Sequence, residues 1–378
     1  MRFGMKQDKK QDKSYGKNYE KNNRPSGRIS GSLLAALGFS ALVLGGCSKE
    51  EAATSSSATT TTTNGAASTK APGGKKKILF VFKVGGISYS EACKAGAQQA
   101  NDDTAMNAEV SYEAPAASDD LAGKQNEIIE QAIVNKVDAI VVSPDDSNAI
   151  VPTLNKAADA GIKVFTWDAD APKSKRQFYV AAVDDVQIGA DIADALAKLT
   201  NQKGKMLLLS GQPTAENLNL HLQGMIEGFK KYKDITVVQP TIYNDDKLEE
   251  AKSKVLTALQ ANPDVVGIAC ANSVSPHGAG EAVKTLNKVG QIKVWGLGLP
   301  SENKTYLKDG SVSGLFLWDP KQLTYLTAKL VKDALDGKAP QDGATVAGTD
   351  GKLMVKGATV TLPLRLEINK DNVDKLTF

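Results

Sequence analysis

The chain has 378 residues, more than one compact core usually holds, so two domains are expected. Its 41% hydrophobic and 24% charged residues are typical of soluble globular proteins. The formal net charge of +3 arises from residues 1–46, which hold nine Lys/Arg against three Asp/Glu. The rest of the chain holds 37 against 40, and this mildly acidic body argues against a nucleic-acid partner, which would need a basic stripe.

Residues 1–46 have the pattern of an export signal. A basic stretch at 6–28 precedes an apolar run at 33–44, which is too short to span a bilayer comfortably and ends in small residues. The sequence Leu44-Gly45-Gly46-Cys47 resembles a bacterial lipobox, which implies that Cys47 becomes the lipidated first residue of the mature protein. The alternative is an incidental buried cysteine. We therefore expect a lipoprotein signal peptide over 1–46 and anchoring on the extracytoplasmic face of the cell membrane.

Residues 47–76 are expected to form a disordered tether. They consist mostly of Ser, Thr, Ala, Gly and Lys, with a run of threonines at 59–63. Such a composition cannot bury enough apolar surface to order itself. The tether would join the lipid anchor to a folded region that begins at residue 77.

From residue 77 onward, apolar strand patterns alternate with helical patterns. The first half contains predicted strands at 78–82, 108–112, 139–144 and 163–167, with helices at 90–101, 119–136 and 148–160. The second half repeats the pattern with strands at 205–210, 235–239, 265–270 and 293–297, and helices at 216–232, 247–261 and 278–288. Strands that are apolar throughout and alternate with helices predict an α/β fold of two similar, doubly wound, parallel-sheet units.

Polar side chains follow several of the predicted strands. Ligands of doubly wound sheets bind beyond the carboxyl ends of the strands, so these side chains are expected to converge on one cleft. The candidates are Lys83, Pro144, Asp168, residues 212–217, Asn272 and Pro300. This set is rich in charged and amide groups, as a polyol or sugar-like ligand would require.

Two aromatic–carboxylate pairs are candidates for binding a hydroxylated ring. In Trp167-Asp168-Ala169-Asp170, each carboxylate can accept two or more hydrogen bonds from vicinal hydroxyls. The alternative is a turn in which the Asp caps the backbone; both remain open for Asp168, and the turn is favoured for Asp170. Trp318 and Asp319 repeat the pairing, although Asp319 can instead cap a helix that starts at the following proline.

Two further positions carry charge where a strand ends or a helix begins. Lys83 ends a continuous apolar strand, where an ammonium group cannot stay buried without a partner, so it either reaches the cleft, which we favour, or extends outward. Glu216 and Asn217 open a predicted helix. There a glutamate suits the positive end of the helix dipole with or without a ligand.

Signatures of catalysis and of metal binding are absent from the sequence. It contains no Gly-x-Ser-x-Gly elbow, Walker loop, His-Glu-x-x-His, Cys-x-x-Cys or dinucleotide-binding glycine loop. The two histidines, His221 and His277, have no carboxylate or cysteine at a metal-ligand spacing. We expect neither an enzyme nor a metal or cofactor site.

From Ile78 to Phe378 the chain resembles the type I periplasmic sugar-binding proteins. Within them it is most similar to the Lsr-type autoinducer-2 receptors, with rhamnose-binding proteins as near relatives. The resemblance is carried by Phe82-Lys83, Gly96-Ala97-Gln98-Gln99-Ala100, Thr166-Trp167-Asp168-Ala169-Asp170, Tyr243-Asn244-Asp245, Gly314-Leu315-Phe316-Leu317-Trp318-Asp319, Leu362-Pro363-Leu364-Arg365 and Asn369-Lys370-Asp371-Asn372. It implies two lobes joined by a three-segment hinge, which we place so that 77–184 plus 297–318 form the N-terminal lobe and 185–296 plus 319–378 form the C-terminal lobe.

The resemblance also implies a set of ligand contacts. Lys83 and Asp168 match the family's direct contacts to a furanosyl ligand, and Glu216-Asn217 stands where the family has Asp-Gln. Cys270 and Asn272 stand where the family has Pro and Ala, so four of the six expected contacts depart from the pattern. Tyr89 and Trp318 are expected to pack against the ligand ring.

These features predict a monomeric solute-binding receptor that delivers its ligand to an ABC-type membrane permease. Autoinducer-2, a cyclised dihydroxypentanedione derivative, is the first expected ligand, and a rhamnose- or ribose-type sugar is the alternative. A surface enzyme acting on sugars would require a carboxylate pair at glycosidase separation across the cleft. A ligand-sensing repressor would require an N-terminal DNA-binding unit, but residues 1–76 have the pattern of a signal and a tether.

Overall fold

A computed structural model describes residues 74–118 and 120–378. The predicted signal peptide, Cys47 and the predicted tether up to residue 73 lie outside the described residues. Among the helices of the described part, none is both long and apolar enough to cross a membrane.

The described chain forms two α/β lobes, each built on its own seven-stranded sheet. The first lobe begins with β1 (Lys76–Val81), α1 (Ser88–Asp102), β2 (Ala108–Glu113), α2 (Leu121–Val134), β3 (Ala139–Val142), α3 (Val151–Asp159), β4 (Lys163–Trp167) and β5 (Tyr179–Ala181). The chain then crosses to the second lobe, which contains α4 (Asp185–Leu199), β6 (Lys203–Ser210), α5 (Glu216–Phe229), β7 (Asp234–Val237), β8 (Ile242–Tyr243), α6 (Leu248–Ala261), β9 (Val265–Cys270), α7 (Ser275–Thr285), β10 (Lys293–Leu297), α8 (Pro300–Asp309) and β11 (Gly314–Leu317). It returns to the first lobe for α9 (Pro320–Leu335), β12 (Met354–Lys356) and β13 (Thr359–Thr361), and ends in the second lobe with β14 (Leu366–Ile368).

Strand order confirms the predicted fold class. The first sheet runs β12-β13-β5-β4-β3-β1-β2, and the second runs β14-β11-β10-β9-β6-β7, with β8 paired to β6. All pairs are parallel except β12 with β13 and β11 with β14. In both sheets the order reverses beside the first strand, between β1 and β3 and between β6 and β9. Each reversal opens a crevice at the carboxyl ends of the strands.

Three crossings join the lobes, but two of them lie elsewhere than predicted. Residues 297–318 were assigned to the first lobe, whereas β11 pairs in parallel with β10 and α8 packs against α7, both in the second lobe. Residues 319–378 were assigned to the second lobe, whereas α9 packs on α1, and β13 extends the first sheet beside β5. The crossings follow β5, β11 and β13, because β11 completes the parallel run of the second sheet before the chain leaves it.

Aromatic side chains pack directly beneath the strand ends of the first lobe. The Trp167 ring meets Phe80 and Phe82 edge-on, with ring centroids 5.4 Å and 5.6 Å apart. Such pairs contribute about 0.5–1.5 kcal/mol each beyond the area they bury. Trp167 is fully buried, so this cluster fixes the end of β4 and hence the position of the residue that follows it.

Candidate ligand-binding site

A cavity lies between the lobes, at the carboxyl ends of the strands of both sheets. Side chains of both lobes line it. Its polar lining comprises Lys83, Ser90, Ser143, Asp168, Asn217, His221, Asp246, Asn272 and Ser273. Its apolar lining includes Ile87, Tyr89, Leu218, Leu297, Leu317 and Trp318.

Asp168 is the most firmly held polar group of the first lobe. It directly follows β4, and its φ of 62° places a non-glycine residue in the left-handed region. Oδ1 accepts a 2.6 Å hydrogen bond from the Tyr89 hydroxyl, and Oδ2 accepts one of 2.8 Å from Ser143 Oγ. The carboxylate therefore lines the cavity and does not cap a turn.

Tyr89 and Trp318 support Asp168 as a chain of donors. Trp318 Nε1 donates a 2.8 Å hydrogen bond to the Tyr89 hydroxyl, which donates in turn to Asp168, and the two rings meet edge-on. Burial raises the pKa of Tyr89 well above its ordinary value, and the Asp168 charge adds to this, so the phenol stays a donor. Because Trp318 lies in the second crossing, this chain links the hinge to the site.

Lys83 connects the two lobes across the cavity. Its ammonium lies 3.9 Å from Asp168 Oδ2 and donates a 3.3 Å hydrogen bond to Asn217 Oδ1 at the start of α5. The Lys83 side chain is only 14% exposed, so the ammonium group reaches into the cleft as expected. A cation held this way can donate to the ligand while neutralising part of the nearby carboxylate charge.

The second lobe contributes a group of hydrogen-bonded amides and one carboxylate. Asn272 Nδ2 donates to Asp246 Oδ1 at 2.6 Å and to Asn244 Oδ1 at 3.1 Å. The amide of Asn244 donates to Ser275 Oγ at 2.7 Å, and Ser275 Oγ donates to Asn272 Oδ1. Burial raises the pKa of Asp246, while Lys83 and the Asn272 hydrogen bond oppose this rise. This group presents both acceptors and donors to the cavity.

His221 is fully engaged within the protein. Its Nδ1 lies 3.0 Å from the Ala271 carbonyl oxygen, which can only accept, so Nδ1 carries a hydrogen. Its Nε2 lies 3.0 Å from Asp185 Oδ1, a contact that also needs a hydrogen between the two atoms. The Tyr179 hydroxyl lies 3.0 Å from Asp185 Oδ2 and from the Asp168 carbonyl oxygen. This network ties α5 to the first crossing and leaves neither ring nitrogen for a metal.

Asp145 is a buried carboxyl group behind the cavity wall. Burial raises its pKa to about 6, and Lys83 partly offsets the effect. Its Oδ1 has no hydrogen-bond partner within the described chain, although its backbone N–H donates to Gln125 at 2.9 Å. Asp145 therefore holds its proton to a higher pH than an exposed aspartate does.

Hydrogen bonds between described residues also join the two lobes directly. Besides the contact from Lys83 to Asn217, the Ser147 N–H donates to the Thr214 carbonyl at 3.3 Å. The Thr214 hydroxyl donates to the Asp145 carbonyl at 3.1 Å. These contacts describe a closed arrangement, in which the two lobes meet across the cleft.

The residues that were predicted to line the cleft but lie outside the cavity lining are Pro144, 212–216, Cys270 and Pro300. Glu216 begins α5 but, unlike Asn217, does not line the cavity, because consecutive positions of a helix point in directions about 100° apart. Cys270 ends β9 inside the core and is fully buried, and burial raises the pKa of its thiol. The cavity wall at this point is formed by Ala271 and Asn272.

Two carboxylates beside the predicted site form hydrogen bonds within the protein and do not line the cavity. Asp170 forms a bidentate ion pair with Arg176 and accepts from Thr166 Oγ1 at 2.6 Å. Asp319 caps α9 by accepting from Lys321 N at 2.8 Å. Asp319 therefore caps a helix, the alternative given for it from the sequence, whereas the main partner of Asp170 is Arg176 and not the backbone of a turn.

The sequence analysis missed Ser143 and Asp246. Ser143 is the last residue before Pro144 in a strand end that was correctly located. Asp246 follows β8, which has only two residues and therefore no detectable period. The signal that could have found it is Tyr243-Asn244-Asp245, which was noted only as part of the family resemblance. Among the described residues, no group of three or more His, Cys, Asp or Glu is arranged to hold a metal ion.

Comparison with known proteins agrees with this architecture. The chain is 27% identical to the D-apiose import binding protein of Actinobacillus succinogenes over 227 residues, which cover 59% of this chain and 73% of that protein. It superposes with a TM-score of 0.73 on an ABC transporter solute-binding protein from Clostridium phytofermentas with bound L-rhamnose, at 24% identity over 80% of this chain and 98% of that one. It superposes with a TM-score of 0.72 on LsrB from Clostridium saccharobutylicum in complex with AI-2, at 24% identity over 80% and 100% of the two chains.

The two solved structures share the fold of this chain, and their identities are too low to carry more than the fold. The family match is broader, because the periplasmic binding protein domain matches residues 78–339. That range covers both sheets up to the end of α9 and includes every polar residue of the cavity lining. The chain belongs to the periplasmic binding protein domain family.

Proposed function

We propose that this protein is the extracytoplasmic receptor of an ABC importer and that it binds autoinducer-2 in the cleft between its lobes. The observation that carries the proposal is the pairing of Asp168 and Lys83 in a closed cavity that both lobes line. A carboxylate and an ammonium at this distance can together bind a hydroxyl or a hydrated ketone of a small ring. The positions of Lys83 and Asp168, which match those of the autoinducer-2 receptors, support this ligand.

A second candidate ligand is a sugar of the rhamnose or ribose type. Its specific support is the similarity to a D-apiose import binding protein. The amide and carboxylate of the second lobe favour a hydroxyl-rich ligand as well, because Asn272 stands where the autoinducer-2 receptors have an alanine. In a closed cleft each ligand hydroxyl needs a protein partner, so the two ligands should bind with very different affinities.

Isothermal titration of the purified folded region, residues 74–378, tests this proposal directly. We expect heat of binding with autoinducer-2 and a much weaker signal with L-rhamnose, D-ribose and D-apiose. Clear binding of one of the sugars without autoinducer-2 would replace the first candidate by the second. The absence of binding to all four compounds would contradict the proposed function.

Substitutions at the two anchoring residues test the site itself. Lys83→Ala and Asp168→Ala should each weaken binding at least about tenfold, because each removes a charged hydrogen-bonding partner. Lys94→Ala and Asp102→Ala are matched controls on the exposed face of α1 and should bind as the wild type does. Ligand binding that survives both cleft substitutions would overturn the assignment of the site.

The proposal includes a lipid anchor at Cys47 and delivery to a membrane permease. The lipobox-like sequence before Cys47 supports the anchor, and the import functions of the similar proteins support the permease. A Cys47→Ser variant of the full chain should move from the membrane fraction to the soluble exported fraction. An unchanged membrane fraction would contradict the anchor and leave the ligand assignment unaffected.

A further inference from the structure

Asp246 is a second carboxylate of the cavity, and it belongs to the lobe opposite Asp168. It follows β8 and lines the cavity together with Asn272, which donates to its Oδ1 at 2.6 Å. Within the described chain no other hydrogen bond reaches this carboxylate, so Oδ2 can accept from a bound molecule. Asp168 differs in this respect, because Tyr89 and Ser143 each donate to one of its oxygens and leave one lone pair on each oxygen for a ligand.

The backbone around Asp246 is held in a costly conformation. Asp245 and Asp246 both adopt positive φ, 53° and 54°. Left-handed conformations of non-glycine residues persist where surrounding contacts enforce them, and they concentrate at functional sites. Here the enforcing contact is the buried Asn244, whose Oδ1 accepts from the Asp246 N–H at 3.0 Å and from Asn272.

Gly211 provides the space that this carboxylate occupies. A Cβ built on Gly211 would overlap Asp246 Oδ1 and lie 2.9 Å from Asn272 Nδ2. The close approach of the backbone after β6 therefore permits the hydrogen bond between Asn272 and Asp246. A side chain at position 211 would displace the Asp246 carboxylate while leaving residue 246 itself unchanged.

We propose that Asp246 determines specificity by accepting a hydrogen bond from a ligand hydroxyl on the face turned toward the second lobe. This inference rests on the proposed function and narrows it to cyclic ligands that carry a free hydroxyl on that face. Lys83 and Asp168 hold the ligand from the first lobe, so the carboxylates of Asp168 and Asp246 contact opposite sides of one ring. A ligand with a methyl group or hydrogen at that position leaves Asp246 Oδ2 without a partner in the closed cleft and binds more weakly.

The test measures the affinity of Asp246→Asn for autoinducer-2, L-rhamnose, D-ribose and D-apiose. For each compound that the wild type binds, we expect affinity to fall at least about tenfold, because an amide replaces a charged acceptor. Asp245→Asn is the matched control, since this neighbouring carboxylate has the same backbone conformation and does not line the cavity. It should stay within about twofold of the wild type, as expected for surface substitutions.

Two further measurements separate specificity from a structural effect. Gly211→Ala should weaken binding as Asp246→Asn does, with Asp246 itself unchanged. Among monodeoxy analogues of the bound compound, one should bind the wild type at least about tenfold more weakly than its parent, while Asp246→Asn should bind both alike. Thermal unfolding identifies any variant that fails to fold. If either Asp246→Asn or Gly211→Ala does not fold, the other variant still tests the proposal.

Each outcome decides a different claim. If Asp246→Asn binds with wild-type affinity, the role of Asp246 is overturned and the proposed function stands. The same conclusion follows if each monodeoxy analogue loses as much affinity for Asp246→Asn as it does for the wild type. Failure of the wild type to bind any of the four compounds overturns the proposed function and, with it, this inference.

Discussion

Asp168 combines a strained backbone conformation with a hydrogen bond to each of its carboxylate oxygens. A left-handed non-glycine residue costs on the order of 1–3 kcal/mol, and Asp and Asn are among the side chains that tolerate it best. The conformation at Asp168 turns the carboxylate from the end of β4 into the cavity, where Tyr89 and Ser143 hold both oxygens. The Tyr179 hydroxyl, 3.0 Å from its carbonyl oxygen, fixes the peptide as well. Because these bonds already fix the carboxylate, the side chain loses less conformational entropy when a ligand binds.

Asp145 makes stability depend on pH. Its pKa is raised to about 6 by burial, so the folded state favours the neutral carboxyl. The stabilisation is therefore fully present below the ordinary pKa of 3.8 and is lost as the pH rises through about 6. Asp145→Asn, which keeps the neutral shape, should raise the free energy of unfolding at pH 7.5 by on the order of 2 kcal/mol and change it little at pH 4.

Urea denaturation at the two pH values measures this effect. Asp159→Asn, a change to an exposed carboxylate on α3 of the same lobe, is the matched control and should show no comparable gain at pH 7.5. Equal effects of Asp145→Asn at pH 4 and pH 7.5 would contradict the assignment, because only the charged form of Asp145 is penalised by burial.

Residues that directly follow a long strand were predictable as site residues. Lys83, Asp168 and Asn272 come after apolar runs whose ends the sequence marks clearly, and all three line the cavity. Glu216 was expected to line it too, but the turn of the helix gives that position to Asn217 alone. Asp246 escaped prediction because β8 is too short to show a period and because its orientation depends on contacts with Asn244 and Asn272.

Helices α4 and α5 pack so closely that glycine is required at their contact. A Cβ on Gly189 of α4 would overlap the His221 carbonyl oxygen, and one on Gly224 of α5 would overlap the Val186 carbonyl oxygen. This contact positions α5, which carries Asn217 and His221 to the cavity. Helix packing thus determines the geometry of the second-lobe half of the site.

Gly189→Ala should destabilise the protein, although Gly→Ala in an exposed helix usually stabilises by about 1 kcal/mol. The added methyl group meets backbone atoms that cannot move away without separating the helices, at a cost of about 1–3 kcal/mol. The free energy of unfolding from urea denaturation measures the change. Gln223→Ala, at an exposed position of α5, should stay within about 0.5 kcal/mol of the wild type. A more stable Gly189→Ala variant would show that the helices can separate freely.

The position of an element in one lobe or the other was less predictable than the element itself. Residues 293–297 form a strand as predicted. The hydrophobic pattern of residues 297–361, however, does not indicate which of the two sheets each segment joins. A strand pairs according to its spatial neighbours, and β11 gains its parallel partner in β10. The helix that starts at Pro320 was located correctly through its proline and the capping Asp319, yet it packs on α1.

The whole molecule is held closed by contacts that only the closed arrangement can form. Lys83 and Asn217 meet across the cavity, and Thr214 bonds to Ser147 and Asp145 at its mouth. The two neutral hydrogen bonds of Thr214 contribute only about 0.5–1.5 kcal/mol each, and the charged bond from Lys83 about 1.5–3 kcal/mol. They are therefore weak enough to allow opening, and a ligand that bonds to both lobes adds to them and shifts the population toward closure.

Thr214→Ala tests whether closure controls ligand release. The substitution removes the hydroxyl donor to the Asp145 carbonyl and leaves the backbone bond from Ser147 in place. Because this bond forms only after the lobes meet, we expect dissociation to become about 2- to 10-fold faster while association changes little. Stopped-flow binding of the ligand found by titration gives both rates. Thr257→Ala, which removes a hydroxyl bond on the exposed face of α6, should change neither. A slower association with unchanged dissociation would mean that Thr214 acts in the open form.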